Sequence, residues 1–233
     1  MFGSGEAAGM LARIQSFPLA STLRISNLDD QLLIADKELA DALALLPDGS
    51  WPAVTRIEPA GRPTNALPPL AAAHLARLCP RLQRVCFNAW YGGFFYSGGD
   101  RFCSALESLG AAHSTLEELV LDLSCRCLRP GSSQRVAAAL ARLRGLQKLD
   151  LRFDGKGSAE AAFLLPAALP ALSALSSLLV GCPSDPPLPS LSRCPASLRH
   201  LAVRGDDGFW VLGTLRSAPQ LAGVTRLDVR LDM

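Results

Sequence analysis

The chain has 233 residues, 49% of them apolar and 19% charged, with a formal net charge of +2. That much apolar surface excludes a long disordered protein, and the near-neutral charge gives no basis for binding nucleic acid or an anionic membrane surface. Seven cysteines at positions 79, 86, 103, 125, 127, 182 and 194 form no regular framework, which fits reduced thiols in the cytosol or nucleus better than a disulfide scaffold.

Residues 1–19 lack the basic start and apolar run of a secretory signal. Within them, Glu6 to Ser16 can form a helix with Met10, Leu11 and Ile14 on one face, a lead-in that caps the rest of the chain. From residue 20 onward one short pattern recurs: an apolar residue, two spacers, an apolar residue, one spacer, an apolar residue. The first copies are Ala20-Leu23-Ile25 and Val54-Ile57, separated by a helix-like stretch that Asp36 opens. Pro68-Pro69 starts the next helical stretch, LAAAHLARLCP, ahead of Leu82-Val85-Phe87. Then comes WYGGFFYSGGDRF, followed by a helix after Asp100 that places Phe102, Leu106 and Leu109 on one face. The clearest copies are Leu116-Leu119-Leu121 and Leu146-Leu149-Leu151, and between them Ser132 opens a helix that Gly145 closes. Residues 161 to 184 carry no charge and are long enough to span a bilayer, but Pro166, Pro170, Ser173, Ser176 and Ser177 interrupt them without flanking basic anchors. Their last part is the copy Leu175-Leu178-Val180. The interval to Leu198-Leu201-Val203 holds CPSDPPLPSLSRCP, too short and too rich in proline for an ordinary helix. Asp207 precedes a final helical stretch before Val224-Leu227-Val229.

The copies start near 20, 54, 82, 116, 146, 175, 198 and 224, a spacing of 23 to 34 residues. Recurrence on this scale signals a stacked array occupying residues 20–233. Each copy predicts a strand with apolar positions inward and spacers outward. Strand and helix alternating in one direction predict parallel strands joined by crossovers. A strand is narrower than a helix, so such an array curves with strands inside and helices outside. The chain closes on VTRLDVRLDM, a strand with no polar cap; a partner, a second copy or further repeats would have to cover it.

On these motifs the sequence resembles the leucine-rich repeat proteins over nearly its whole length. The long period resembles the ribonuclease-inhibitor-like class and the repeat regions of F-box proteins. LARLCPRLQRVCF and LSRCPASLRHLAV are similar to the cysteine-containing subclass, in which a Cys-Pro pair leads into the strand. The resemblance implies an α/β solenoid, a horseshoe with about eight parallel strands on its concave face and helices or irregular segments on its convex face. Three residues beyond the third apolar position the family usually carries Asn or Cys. Here those positions hold Leu28, Arg62, Trp90, Ser124, Asp154, Pro183, Asp206 and Asp232, so an incomplete polar ladder is expected.

The spacers define the candidate binding face: Arg56 and Glu58; Arg84 and Asn88; Glu118 and Asp122; Lys148, Asp150 and Arg152; His200 and Arg204; Arg226, Asp228 and Arg230. Mixed charge of this kind suits recognition of a protein partner, although spacers that merely face water look the same in sequence. A second candidate is the loop carrying Trp90, Tyr91, Phe94, Phe95 and Tyr96, since aromatic clusters anchor interfaces; equally, the loop folds onto its own repeat. No Gly-Lys-Ser/Thr follows its glycines, so it is not a phosphate loop. Cys125 and Cys127 have no second Cys or His pair at zinc spacing. His74, His113 and His200 are scattered, with no nucleophile and carboxylate beside them in sequence. PPLP at 186–189 reads either as a polyproline ligand or as the helix-free side of a short repeat.

These readings predict a non-catalytic scaffold that binds a protein on its concave face, with no cofactor, metal, nucleic acid or membrane, in the cytoplasm or alternatively the nucleus. Family resemblance adds two rivals. One is the substrate-recognition region of an F-box ubiquitin ligase, whose helical module would need more chain than residues 1–19 provide. The other is a structural subunit of a large assembly such as the ciliary axoneme.

Overall fold

The structure, a computed structural model, describes residues 20–25, 40–41, 43–59, 69–88, 98–112, 115–124, 131–154, 159–182, 191, 193–205, 215–216 and 221–231. The anticipated N-terminal helix, the aromatic loop from Trp90 to Tyr96, Cys125 and Cys127, His113 and the PPLP segment lie outside the described residues, as does most of the stretch after Asp207.

Eight strands form one parallel sheet in strict sequence order: β1 (Thr22–Ile25), β2 (Arg56–Pro59), β3 (Arg84–Asn88), β4 (Glu118–Ser124), β5 (Lys148–Asp154), β6 (Ser177–Cys182), β7 (His200–Gly205) and β8 (Arg226–Leu231). Among the described residues four longer helices lie between them, α1 (Pro69–Leu78), α2 (Gly98–Ala112), α3 (Ser132–Arg142) and α4 (Ala159–Ala168), and positions 40, 41, 43 and 44 ahead of β2 are also helical. Each helix packs on the next, α1 on α2, α2 on α3 and α3 on α4, so the helices form a layer of their own. Parallel neighbours require a crossover, and the helices supply it between β2 and β6. Before β7 no helix occurs among the described residues, and before β8 Leu215 and Arg216 are helical and a 3-10 turn, Leu221–Gly223, leads into the strand.

The core is the space between that layer and the sheet. Leu119 and Leu121, Leu149 and Leu151, Leu178 and Val180, and Leu201 and Val203 are all buried with helix residues Leu75, Leu106, Leu109, Val136, Leu140 and Leu164 in one cluster. This is the outcome the alternating pattern predicts, since every second strand residue points to the same face. At Gly110 the helix layer closes tightly: a Cβ there would stand 3.0 Å from the backbone oxygen of Ala139, so a side chain would push α2 and α3 apart by a few tenths of an ångström. Nearby, Arg135 of α3 donates Nε and Nη2 to the two carboxylate oxygens of Glu107 on α2, both at 3.0 Å.

Two backbone motifs recur with the strands. First, the carbonyl before each strand accepts two N–H groups from the entry of the next: Ser21 from Thr55 and Arg56, Thr55 from Gln83 and Arg84, and Gln83 from Glu117 and Glu118. The series continues through Glu117, Gln147, Ser176 and Arg199, at 2.8–3.1 Å throughout. Second, a tight turn delivers the chain to the first apolar position, whose N–H bonds three residues back: Leu82 to Cys79, Leu146 to Leu143, Leu175 to Leu172, Leu198 to Pro195 and Val224 to Leu221. Cys79, Leu143 and Leu172 are themselves buried, so the repeating unit begins three residues earlier than the sequence pattern suggests. The turns also separate the two Cys-Pro pairs. Cys79 accepts the turn bond in one copy, whereas Pro195 accepts it in the other, with Cys194 one place earlier.

One expected boundary needs correction. Helix α2 starts at Gly98 and so includes Asp100 instead of following it. The uncharged segment 161–184 resolves into the end of α4, a 3-10 turn at Leu169–Ala171 and strand β6. Among the described residues no helix is long and apolar enough to cross a membrane. Finally, Leu227 and Val229 occupy core positions of the pattern, yet they are 50% and 49% exposed, because nothing among the described residues packs beyond β8.

The difference between an inner and a terminal strand is measurable. Leu119→Ala should cost about 2–5 kcal/mol in urea denaturation through the cavity it leaves. Leu227→Ala on β8, measured in solution dilute enough to keep the chain monomeric, should cost about 1 kcal/mol or less. Equal losses would mean that β8 is covered in solution.

Candidate functional site

The sheet face opposite the helices carries the spacers, and strand register sorts them into rows. The first row, at the strand entries, is Thr22, Arg56, Arg84, Glu118, Lys148, Ser177, His200 and Arg226. The second pairs Arg24 with Glu58 on β1 and β2, and runs through Cys86, Val120, Asp150, Leu179, Ala202 and Asp228 on β3 to β8. The third places positions 88, 122, 152, 181, 204 and 230 side by side. All fourteen spacers singled out in the sequence thus fall on one sheet, and twelve have described side chains. For Asn88 and Asp122 only the backbone position is described.

Charges on this face organise into three groups. Across β1 to β4 they alternate: Arg24 Nε stands 3.8 Å from Glu58, Glu58 stands 3.7 Å from Arg84 Nη1, and Arg84 Nε stands 3.7 Å from Glu118. These separations exceed hydrogen-bond length, so the ladder is coulombic and adds little stability in water. On β5, Arg152 grips Asp150 with both Nη2 (2.7 Å) and Nε (3.2 Å). That fork fixes two side chains that alternate along one strand.

The third group spans β6 to β8. Ser177 Oγ lies 2.9 Å from Nδ1 of His200, whose Nε2 lies 2.8 Å from Oδ2 of Asp228, and Arg226 Nη2 reaches the same oxygen at 2.9 Å. In sequence no histidine stands beside a nucleophile and a carboxylate; the fold corrects this, because residues 177, 200 and 228 become neighbours only through register. The Arg226 hydrogen bond, and next the His200 hydrogen bond, hold the Asp228 carboxyl below its ordinary value. An ionised carboxylate only accepts, so Nε2 carries a proton, and in neutral His200 the Ser177 hydroxyl donates to Nδ1.

A serine, a histidine and a carboxylate in line are the parts of a nucleophilic triad. Acyl transfer also needs donors aimed at the developing oxyanion. Here the nearby N–H groups are committed: those of Ser176 and Ser177 go to Gln147, and that of His200 goes to Ser176. Asp228, half exposed and shared with Arg226, orients the ring weakly.

Between the charges lies an uncharged floor. Val120 and Ala202 stand at spacer positions that the pattern assigns to solvent, but they are only 7% and 8% exposed. Ala202 and half-buried Leu179 adjoin in register, and Gly181 follows Leu179 with the flanking Arg152 and Arg204 side chains 3.9 Å from where its Cβ would be. A shallow apolar strip therefore runs between the Asp150–Arg152 fork and the His200–Asp228 pair. Burial pushes the Cys79 thiol up to about 12 and that of Cys194 to about 11, so neither forms a reactive thiolate near neutral pH. Burial likewise lowers His74 on α1. Among the described residues no group of three or more His, Cys, Asp or Glu side chains could hold a metal ion.

Compared with known protein families and with curated proteins, the chain matches neither a family nor a single curated relative.

The ionisation of these groups can be checked directly. Asp228 should titrate below the ordinary carboxylate range in NMR, and Arg226→Ala should move its midpoint up more than His200→Gln does. Because the folded value is depressed, its stabilisation is present above the unfolded value and lost as pH falls through the folded one. Cys79 and Cys194 should resist alkylation at pH 7.5 until denaturant unfolds the chain.

Proposed function

We propose that this chain is a leucine-rich-repeat solenoid acting as a non-catalytic scaffold, and that the sheet face bearing the spacers is the concave surface on which it binds another protein. One observation carries the reading. Ordered charges of both signs surround a short uncharged strip at Leu179, Gly181 and Ala202. An interface of this kind uses its apolar centre for affinity and its charged surround for register and partner choice. The partner that fits is a protein surface with a small apolar protrusion flanked by both an acidic and a basic group. Acidic groups on it would meet Arg204 and Arg230, and basic ones Asp150 and Glu118. The proposed setting is a reducing compartment such as the cytoplasm, consistent with thiols buried in apolar surroundings at Cys79 and Cys194.

Exposed ion pairs add about 0–1 kcal/mol to stability, but charges that a partner desolvates are worth about 2 kcal/mol or more to binding. Glu118→Arg combined with Asp150→Arg should therefore abolish recovery of the partner in affinity capture with mass spectrometry, while the melting temperature moves little. Intact recovery would remove this face as the binding site. The identity of what is recovered, ligase adaptors, axonemal proteins or one separate partner, decides among the wider roles that resemblance suggests.

A further inference from the structure

Among the described residues, the outer side of β8 leaves unpaired what the inner strands β2 to β7 pair on both sides. Leu227, Val229 and Leu231 stand in register with buried Leu201 and Val203 and with Gly205, yet they are 50%, 49% and 50% exposed. The Arg226 N–H points at β7, where it bonds the Arg199 carbonyl. Peptide groups alternate along a strand, so Leu227, Val229 and Leu231 direct their N–H and C=O groups to the opposite edge. No strand among the described residues pairs there. Apolar side chains and open backbone groups on one edge make it adhesive toward another strand.

The strand's own sequence, RLDVRL, states what fits. We propose that β8 pairs antiparallel with β8 of a second copy about a two-fold axis through Val229. In that register Val229 faces its own counterpart, Leu227 faces Leu231, and Asp228 faces Arg230, each in both directions. Every outward-directed backbone group then meets another, since the residues that point outward are the ones placed opposite each other. Apolar side chains meet apolar ones on the core face, and opposite charges meet on the spacer face, which is the favourable cross-strand arrangement. Neighbouring registers are worse. Centring on Asp228 sets Arg226 against Arg230 and Asp228 against itself, while centring on Leu227 leaves Arg230 and Leu231 without strand partners. Arg230 makes no ion pair among the described residues, and Asp228 is 46% exposed, so both can take part. A two-fold contact of this type closes on itself instead of propagating. It continues the parallel sheet across an antiparallel seam and turns both spacer faces to the same side, so that a dimer presents two copies of the face side by side.

Sedimentation equilibrium of the full chain tests this, with circular dichroism to verify that each variant folds. The expected result is a concentration-dependent monomer–dimer equilibrium that stops at the dimer. Arg230→Asp sets like charges opposite each other twice and should weaken the dimer by about tenfold or more. Adding Asp228→Arg to that variant restores opposite charges across the seam and should bring dimerisation back. A chain that stays monomeric at every concentration overturns the proposal and leaves the edge to a different protein or to further repeats. An open-ended polymer overturns it in favour of head-to-tail pairing of β8 with β1. A dimer indifferent to Arg230→Asp, or one not restored in the double variant, places the contact elsewhere.

Discussion

The carbonyl that precedes each strand and accepts two N–H groups from the next strand's entry sets the register on which the rest of the molecule depends. Seven such carbonyls, from Ser21 to Arg199, lock the strands to a common starting line. A slip of one residue would turn Leu119, Leu149 and Leu178 to the solvent face and their spacers into the core. The bond uses only backbone atoms. It tolerates Ser, Thr, Gln, Glu and Arg at the accepting residue. Where a hydroxyl is present, as at Thr55, Ser176 and Thr225, that side chain reaches the same carbonyl as well.

Because the start is fixed, the connections are free to vary. Between β2 and β6 they run through helices that pack on one another. Between β6 and β7 no helix appears among the described residues, and yet the register from Ser177 to His200 is as regular as that from Glu118 to Lys148. The turn ahead of each strand absorbs the differences, including the one-residue offset between the two Cys-Pro pairs. Part of the cost of unequal loops falls on individual side chains. Arg77 on α1 donates to the carbonyls of Leu46 (2.6 Å) and Leu43 (2.9 Å), satisfying acceptors at the end of the short helical stretch near residue 43.

The same common line decides the chemistry of the spacer face. Side chains at equal register stand about one strand spacing apart, roughly 4.8 Å, so charge order along the sheet follows the order of strands in the chain. Arg24 and Glu58, Arg84 and Glu118, and Ser177 and His200 meet as register partners, while Glu58 reaches Arg84 and His200 reaches Asp228 diagonally, from one row to the next. If the face binds a protein, as proposed, specificity lies in this sequence of charges and affinity in the strip of Leu179 and Ala202. The edge of β8 belongs to a different part of the molecule, and its tendency to pair does not depend on what the face recognises.

The alternating apolar pattern sufficed to predict eight parallel strands, the burial of Leu119, Leu149 and Leu178, and a shared face for the charged spacers, because period-two alternation is local and burial reads it directly. Helix α3 was legible from Ser132 and from Val136 and Leu140 for the same reason. What the sequence did not reveal rests on relations between distant residues. The buried turn residues Cys79, Leu143 and Leu172 carried a signal, an apolar position three before each motif, but the irregular copies at Pro195 and Leu221 obscured it. The Ser177–His200–Asp228 chain had no local signal, since its members lie 23 and 28 residues apart and meet only through register. The depth of Val120 and Ala202, and the exposure of Leu227, Val229 and Leu231, were likewise decided by neighbours. An apolar residue in an alternating pattern states which face it takes, while only the tertiary structure determines whether anything lies against that face.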